Sequence, residues 1–159
     1  MKVKILPSKT SGEVSAPPSK SFAHRYLIGS VLSRGKCVIK NIADSDDISA
    51  TLSCIEQLGG GVTKDGNTVT VIPTNEKQIE NTKKKKKRVF STEKKGGSTL
   101  RFFIPVVLAT GAKNCTFSGS ERLLARGIKE YEKLFENSDV KIKSDEKSIE
   151  VNGKLTAGN

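Results

Sequence analysis

The stretch Asp46-Asp47-Ile48-Ser49-Ala50-Thr51-Leu52-Ser53-Cys54-Ile55-Glu56-Gln57-Leu58 places apolar side chains at Ile48, Leu52, Ile55 and Leu58, in steps of four, three and three. At 3.6 residues per turn those four form one stripe of an amphipathic helix. Leu124, Ile128, Tyr131 and Leu134 step identically, each 76 residues later. The match predicts two helices, 46–58 and 122–136, and with them a duplicated chain. Asp46 or Asp47 is placed to cap the first, while Ser120 or Glu121 favours the start of the second.

Outward from these helices the duplication extends to every neighbour. The first unit reads as helix 20–33, strand 36–40, helix 46–58, then strands near 61–64 and 68–72. The second reads as helix 98–109, strand 114–118, helix 122–136, then strands near 139–143 and 148–152. Val69-Thr70-Val71 follows the turn Asp65-Gly66-Asn67, and Ile149-Glu150-Val151 follows Asp145-Glu146-Lys147. The alternation in both predicts half-buried strands of a hairpin. After a short leading strand at 2–6, the chain is thus expected to be α/β, with two copies of an α-β-α-β-β module. Module one covers 17–72, a lysine-rich connector 73–95, and module two 96–153. Leu100, Phe102, Phe103, Ile104, Val106, Val107 and Leu108 leave helix 98–109 almost no polar face, which predicts burial on nearly all sides. Pro105 inside it is expected to bend it or to free the carbonyl of Arg101.

The start of helix 20–33 carries chemistry. Pro17-Pro18-Ser19-Lys20-Ser21-Phe22-Ala23-His24-Arg25 holds the entering backbone extended, offers a serine that can cap, and then turns helical. Lys20, Ser21 and Arg25 fall on or near the first turn, where free N–H groups and the macrodipole favour an anion. Ser21 and Arg25 are four apart and share a face. In the second unit, Gly96-Gly97-Ser98-Thr99 lets a ligand approach the backbone closely at another helix start. Two such ends facing one cleft would hold two anionic groups, or one doubly. His24, the only histidine, is expected to pack or hydrogen-bond rather than to shuttle protons.

Composition narrows the class. A chain of 159 residues with 35% apolar residues and no Trp suits one globular domain. No apolar run reaches the length of a membrane span, and Met1-Lys2-Val3-Lys4-Ile5 has no signal-peptide core, so a cytoplasmic protein is expected. Cys37, Cys54 and Cys115 are odd in number and far apart, fitting neither a disulfide framework nor a zinc site, and are expected to be buried free thiols. Of the formal charge of +11, Lys83 to Lys87 and Arg88 supply six positive charges. Such a run reads as a solvated connector or as a polyanion tether. No aromatics interleave with it, as a single-strand groove would require, so the connector is expected. The remaining positive excess suits small anionic ligands.

Taken in order, several motifs resemble the 5-enolpyruvylshikimate-3-phosphate synthase family. They are Pro17-Pro18-Ser19-Lys20-Ser21 with His24-Arg25, Asn41-Ile42-Ala43-Asp44-Ser45-Asp46-Asp47, and Leu58-Gly59. Gly97-Ser98-Thr99-Leu100-Arg101-Phe102-Phe103-Ile104-Pro105 and Ser118-Gly119-Ser120-Glu121-Arg122-Leu123-Leu124-Ala125-Arg126 continue the series. The resemblance implies modules of the enolpyruvyl transferase inside-out barrel type, with two of the three modules of one domain present. It implies transfer of the enolpyruvyl group of phosphoenolpyruvate to the 5-hydroxyl of shikimate 3-phosphate, by addition and then elimination of phosphate. No metal and no organic cofactor are implied. Carried over by position, Lys20, Ser21 and Arg25 would hold shikimate 3-phosphate. Lys20, the Gly97 backbone N–H and Arg126 would meet phosphoenolpyruvate. Arg101 matches a family arginine and is assigned no role. Lys95 stands where the family usually has Asn or an acidic residue, and Gly127 replaces a proline that normally follows the second arginine.

The resemblance assigns no catalytic acid or base to this chain, since the family's second domain carries them. The chain alone is therefore expected to show no turnover and to bind shikimate 3-phosphate weakly. Two other readings stand beside the synthase reading. One is a basic nucleic-acid-binding module resting on residues 83–88; the other is an inactive half that assembles with a separately made remainder of the synthase.

Overall fold

The structure, a computed structural model, describes residues 3–4, 6–74, 88–91, 97–111, 113–124 and 128–155. Helix α1 (Lys20–Val31) begins where Ser19, in extended backbone, accepts the Phe22 N–H on its Oγ at 3.4 Å. Strand β1 (Cys37–Ile39) follows, then α2 (Asp46–Leu58), β2 (Gly61–Asp65) and β3 (Thr68–Ile72). After β4 (Arg88–Ser91) come α3 (Gly97–Ala109), β5 (Cys115–Ser118), and the short helices α4 (Glu121–Leu124) and α5 (Lys129–Leu134). The hairpin β6 (Lys141–Ser144) and β7 (Ser148–Asn152) closes the order.

Helix α2 occupies 46–58 as its stripe predicts, and Ile48, Leu52, Ile55 and Leu58 are all buried. Its cap differs from expectation. Ser45, not Asp46 or Asp47, takes the Ile48 N–H on its side chain at 3.3 Å. The two aspartates sit inside the first turn, where negative charge meets the helix dipole. The helix stops at Gly59, whose φ of 102° is the left-handed region where a Cβ is costly. From there Gly59 N–H reaches Glu56 O at 2.9 Å and Gly60 N–H reaches Ile55 O at 3.0 Å, capping the last carbonyls.

The strands make two sheets. In one, β1, β3 and β2 lie side by side in that order, all antiparallel. In the other, β5, β7 and β6 repeat the same order and sense, and β4 adds to the outside of β5 in parallel. The register pairs Cys37 with Val71 in the first sheet and Cys115 with Val151 in the second.

Strand β4 lies within the stretch 73–95 expected as a lysine-rich connector, of which residues 75–87 and 92–95 lie outside the described residues. The lysines dominate that stretch, yet Val89 and Phe90 at its end favour strand, and Phe90 is fully buried against Phe117 with ring centroids 4.9 Å apart. Ser91 N–H also reaches Gln57 Oε1 at 3.3 Å, tying β4 to α2. The leading strand expected at 2–6 is absent at the described residues. Val3, Lys4 and Leu6 pair with no strand, and Val3 and Leu6 are exposed. Alternation supplies a face for a strand but not the neighbour it must bond to.

The expected helix 122–136 is two helices. Ile128 caps α5 with non-helical backbone (φ −135°, ψ 30°), and residues 125–127 lie outside the described residues. Leu124 and Ile128 are buried as the stripe requires, but Leu134, on the six-residue α5, is 69% exposed.

Helix α3 is buried along Thr99, Leu100, Phe103, Ile104, Val106, Val107 and Leu108. Pro105 has no N–H for the carbonyl four residues earlier, and the Tyr131 hydroxyl donates to that Arg101 carbonyl at 2.9 Å. Burial raises the Tyr131 pKa. The freed acceptor thus becomes the link between α3 and α5. No helix among the described residues is long and apolar enough to cross a membrane.

Candidate functional site

The starts of α1, α2 and α3 meet at Asp47. Lys20, the first residue of α1, extends its ammonium to the Asp47 carboxylate. The Asp47 carbonyl accepts the Thr51 hydroxyl at 3.0 Å and lies 3.3 Å from the Thr99 hydroxyl, near the start of α3. Thr51 and Thr99 oxygens are 2.8 Å apart, and His24 Nδ1 is 2.9 Å from Thr51 Oγ1. Each hydroxyl has one hydrogen to give. The assignments that use most of these contacts put the imidazole hydrogen on His24 Nδ1, donating to Thr51.

His24 is buried and held neutral. Burial lowers its pKa first, with the charges of Lys20 and Arg25 adding in the same direction. Its hydrogen bond to Thr51 and its packing against Phe102, with ring centroids 6.3 Å apart, agree with the structural role expected for it. Among the described residues, two buried polar atoms here have no partner: His24 Nε2 and Asp47 Oδ1.

Above this buried layer lies the polar surface of α1. Lys20, Ser21 and Arg25 are all exposed. Arg25 Nη1 donates to the Ser21 carbonyl at 2.8 Å, fixing the guanidinium along the helix. The Arg25 guanidinium carbon also lies 5.8 Å from the centroid of Phe102 on α3, so it spans the two helices. Gly97, half-buried, is the first residue of α3 and has no N–H acceptor within that helix. Lys20 and Ser21 thus lie at the start of α1 and Gly97 at the start of α3, with Arg25 a turn further along α1. Arg126, Lys95, Gly127 and the lysines 83–87 lie outside the described residues.

Sequence reasoning missed Asp47, Thr51, Thr99 and Phe102 as members of this assembly. Thr51 carried a signal, because it is a polar residue beside Ile48, Leu52 and Ile55 on the buried face of α2. Asp47 stood at the end of a motif shared with the resembled family, but nothing in the sequence linked it to Lys20, since an aspartate at a helix start is explained by the dipole alone. Cys37, Cys54 and Cys115 form no disulfide among the described residues. Cys54 and Cys115 are buried, with burial pushing the Cys54 thiol up to about 12, and Cys37 is half-buried. No group of three or more His, Cys, Asp or Glu side chains suited to a metal ion occurs among the described residues.

The family model of EPSP synthase (3-phosphoshikimate 1-carboxyvinyltransferase) matches residues 6–158. The chain belongs to this family. Its described fold is accordingly an EPSP synthase domain with mixed α/β content in two sheets. A 3-phosphoshikimate 1-carboxyvinyltransferase of Clostridium novyi is 36% identical to it, covering 98% of this chain and 37% of the relative. Proteins of the same name from Clostridium perfringens strain 13 and Clostridium kluyveri are 36% and 37% identical, covering 99% and 98% of this chain. Those two are themselves covered to 36% and 35%. The chain thus spans little more than a third of the length of the curated relatives it matches.

Proposed function

We propose that these residues form part of the substrate site of an EPSP synthase of the shikimate pathway to chorismate and the aromatic amino acids. The reaction joins the 5-hydroxyl oxygen of shikimate 3-phosphate to C2 of phosphoenolpyruvate, and elimination of inorganic phosphate then restores the double bond. Both substrates are phosphorylated anions, which suits a surface where three helix starts converge. The observation that carries this reading is the meeting of α1, α2 and α3 at Asp47 beneath exposed Lys20, Ser21 and Arg25.

In this reading Arg25 and Ser21 hold the phosphate of shikimate 3-phosphate, the planar guanidinium giving paired N–H donors to two oxygens. Lys20, a compact charge with three donors, lies between the two substrates and contacts both. Gly97 offers its backbone N–H to phosphoenolpyruvate, with Arg126 pairing to the anionic groups of that substrate. The module reading belongs here too: two α-β-α-β-β units, 17–72 and 96–153, of an inside-out barrel domain. The repeated strand order in the two sheets supports it. This reading gives His24 no part in proton transfer, because the imidazole is buried, neutral and bonded to Thr51.

Calorimetric titration of the 159-residue chain with shikimate 3-phosphate tests the proposal. We expect measurable binding that Arg25→Ala weakens about tenfold or more, the worth of a charge-assisted hydrogen bond. Binding that is indifferent to Arg25 contradicts it.

A further inference from the structure

We infer that Asp47 is a positioning residue of this site, holding the Lys20 ammonium in place for an anion without touching the anion itself. The inference rests on the proposed reading of the α1 start as a phosphate-binding surface. It begins from an asymmetry in the ion pair: the Lys20 side chain is 50% exposed, that of Asp47 only 16%. Lysine has three N–H donors, so pairing with Asp47 occupies one side of the ammonium and leaves others toward solvent.

The carboxylate has no such freedom. Oδ1 is buried without a partner among the described residues, and Oδ2 is the oxygen that meets Lys20. An anion that pulled Lys20 away would therefore leave a largely buried carboxylate with neither oxygen satisfied, which is strongly unfavourable. Nor does Asp47 follow the lysine easily. Its carbonyl is the acceptor for Thr51 and Thr99, and Thr51 is in turn bonded to His24. Main chain from α2 is thus clamped between α1 and α3, and the carboxylate it carries is fixed with it. An incoming anion adds to the Lys20–Asp47 pair and does not replace it.

The alternative, a competing counter-ion that must be displaced, predicts the opposite sign. If Asp47 competes, removing its charge tightens binding; if it positions, removal weakens binding by releasing Lys20 to its many rotamers. The test uses the 159-residue chain, with shikimate 3-phosphate as probe and inorganic phosphate as a second probe. Asp47→Asn is close in shape and keeps the carbonyl that Thr51 and Thr99 use. We expect it to weaken shikimate 3-phosphate about five- to tenfold, and Asp47→Glu to recover at least half of that loss.

A merely structural role is separated by repeating the substitution in a Lys20→Met background. There Asp47→Asn should change affinity less than twofold, because no ammonium remains to position. Tighter binding by Asp47→Asn, or an equal loss in both backgrounds, overturns this inference alone. A parent chain that binds neither probe, or a Lys20→Met chain that binds as well as the parent, overturns the site reading together with it. Far-UV circular dichroism identifies a variant that has lost its fold; if Asp47→Asn does, Asp47→Glu carries the comparison, with a loss of about two- to threefold expected in the parent and none in the Lys20→Met background, and equal losses in both overturning the inference.

Discussion

The β1–β3–β2 sheet and the β5–β7–β6 sheet share their strand order, yet the helices that accompany them have taken different work. Helix α1 keeps a wet face: Phe22 and Tyr26 are each 61% exposed, and Lys20, Ser21 and Arg25 face solvent. Helix α3 has almost none, with Phe103, Ile104, Val107 and Leu108 fully buried. The second helices diverge further. Helix α2 runs unbroken for 13 residues with a side-chain cap at Ser45, while its counterpart is split into α4 and α5, the latter without a side-chain cap. Even the hairpins solve the same turn differently. One uses Gly66 at φ 54°, and the other uses Asp145, whose Oδ1 accepts the N–H groups of Lys147 and Ser148 at 2.8 and 2.7 Å. Strand pairing preserves a topology because each strand needs its neighbour. Helices are free to become core or binding surface.

The sharpest way to break this contrast is to cut an aromatic from each helix. Phe103→Ala in α3 should cost about 3–5 kcal/mol of unfolding free energy in urea, from lost burial and the cavity left beside Phe90. Phe22→Ala in α1 should change it by less than about 0.5 kcal/mol. Equal losses would mean that α1 is covered in solution and that the two helices are not differently used.

Acid sharpens the picture of the buried layer. The ordinary His pKa is 6.5 and burial depresses that of His24, so below about 6.5 the unfolded chain takes up a proton that the folded one refuses. Stability from this group is complete above that pH and is lost as pH falls toward the folded value. Urea midpoints between pH 8 and pH 5 should fall accordingly, and less steeply in His24→Gln. A slope unchanged by the substitution would show that the imidazole is not held neutral.

A smaller effect probes the second unit alone. Tyr131→Phe should cost about 1 kcal/mol by leaving the Arg101 carbonyl without its donor. In a Pro105→Ala background, where residue 105 regains an N–H, the same substitution should cost less than half as much. Equal costs in both backgrounds would mean that Tyr131 does not replace a missing helix bond.

Much of this was legible because periodicity reports burial. Helix 46–58, both hairpins and the buried α3 follow from apolar spacing, and the Lys20, Ser21 and Arg25 surface follows from a serine after two prolines. What escaped was decided by neighbours. Strand β4 is four residues beside a lysine run, and only its pairing with β5 and the burial of Phe90 make it a strand. The Leu134 stripe position is correct in period but falls beyond a break, so it faces water. Asp47 reads as a dipole residue until Lys20 and Thr99, at positions far apart in the chain, are seen to converge on it.

That convergence is the claim on which the rest depends, and amide-shift mapping by NMR during a shikimate 3-phosphate titration tests it most directly. The account predicts saturable shifts that move together at residues 19–25, at Asp47 and at 97–99, with one shared affinity. Shifts confined to the lysines at 83–87, or movement at the α1 start with none at residues 97–99, would contradict it.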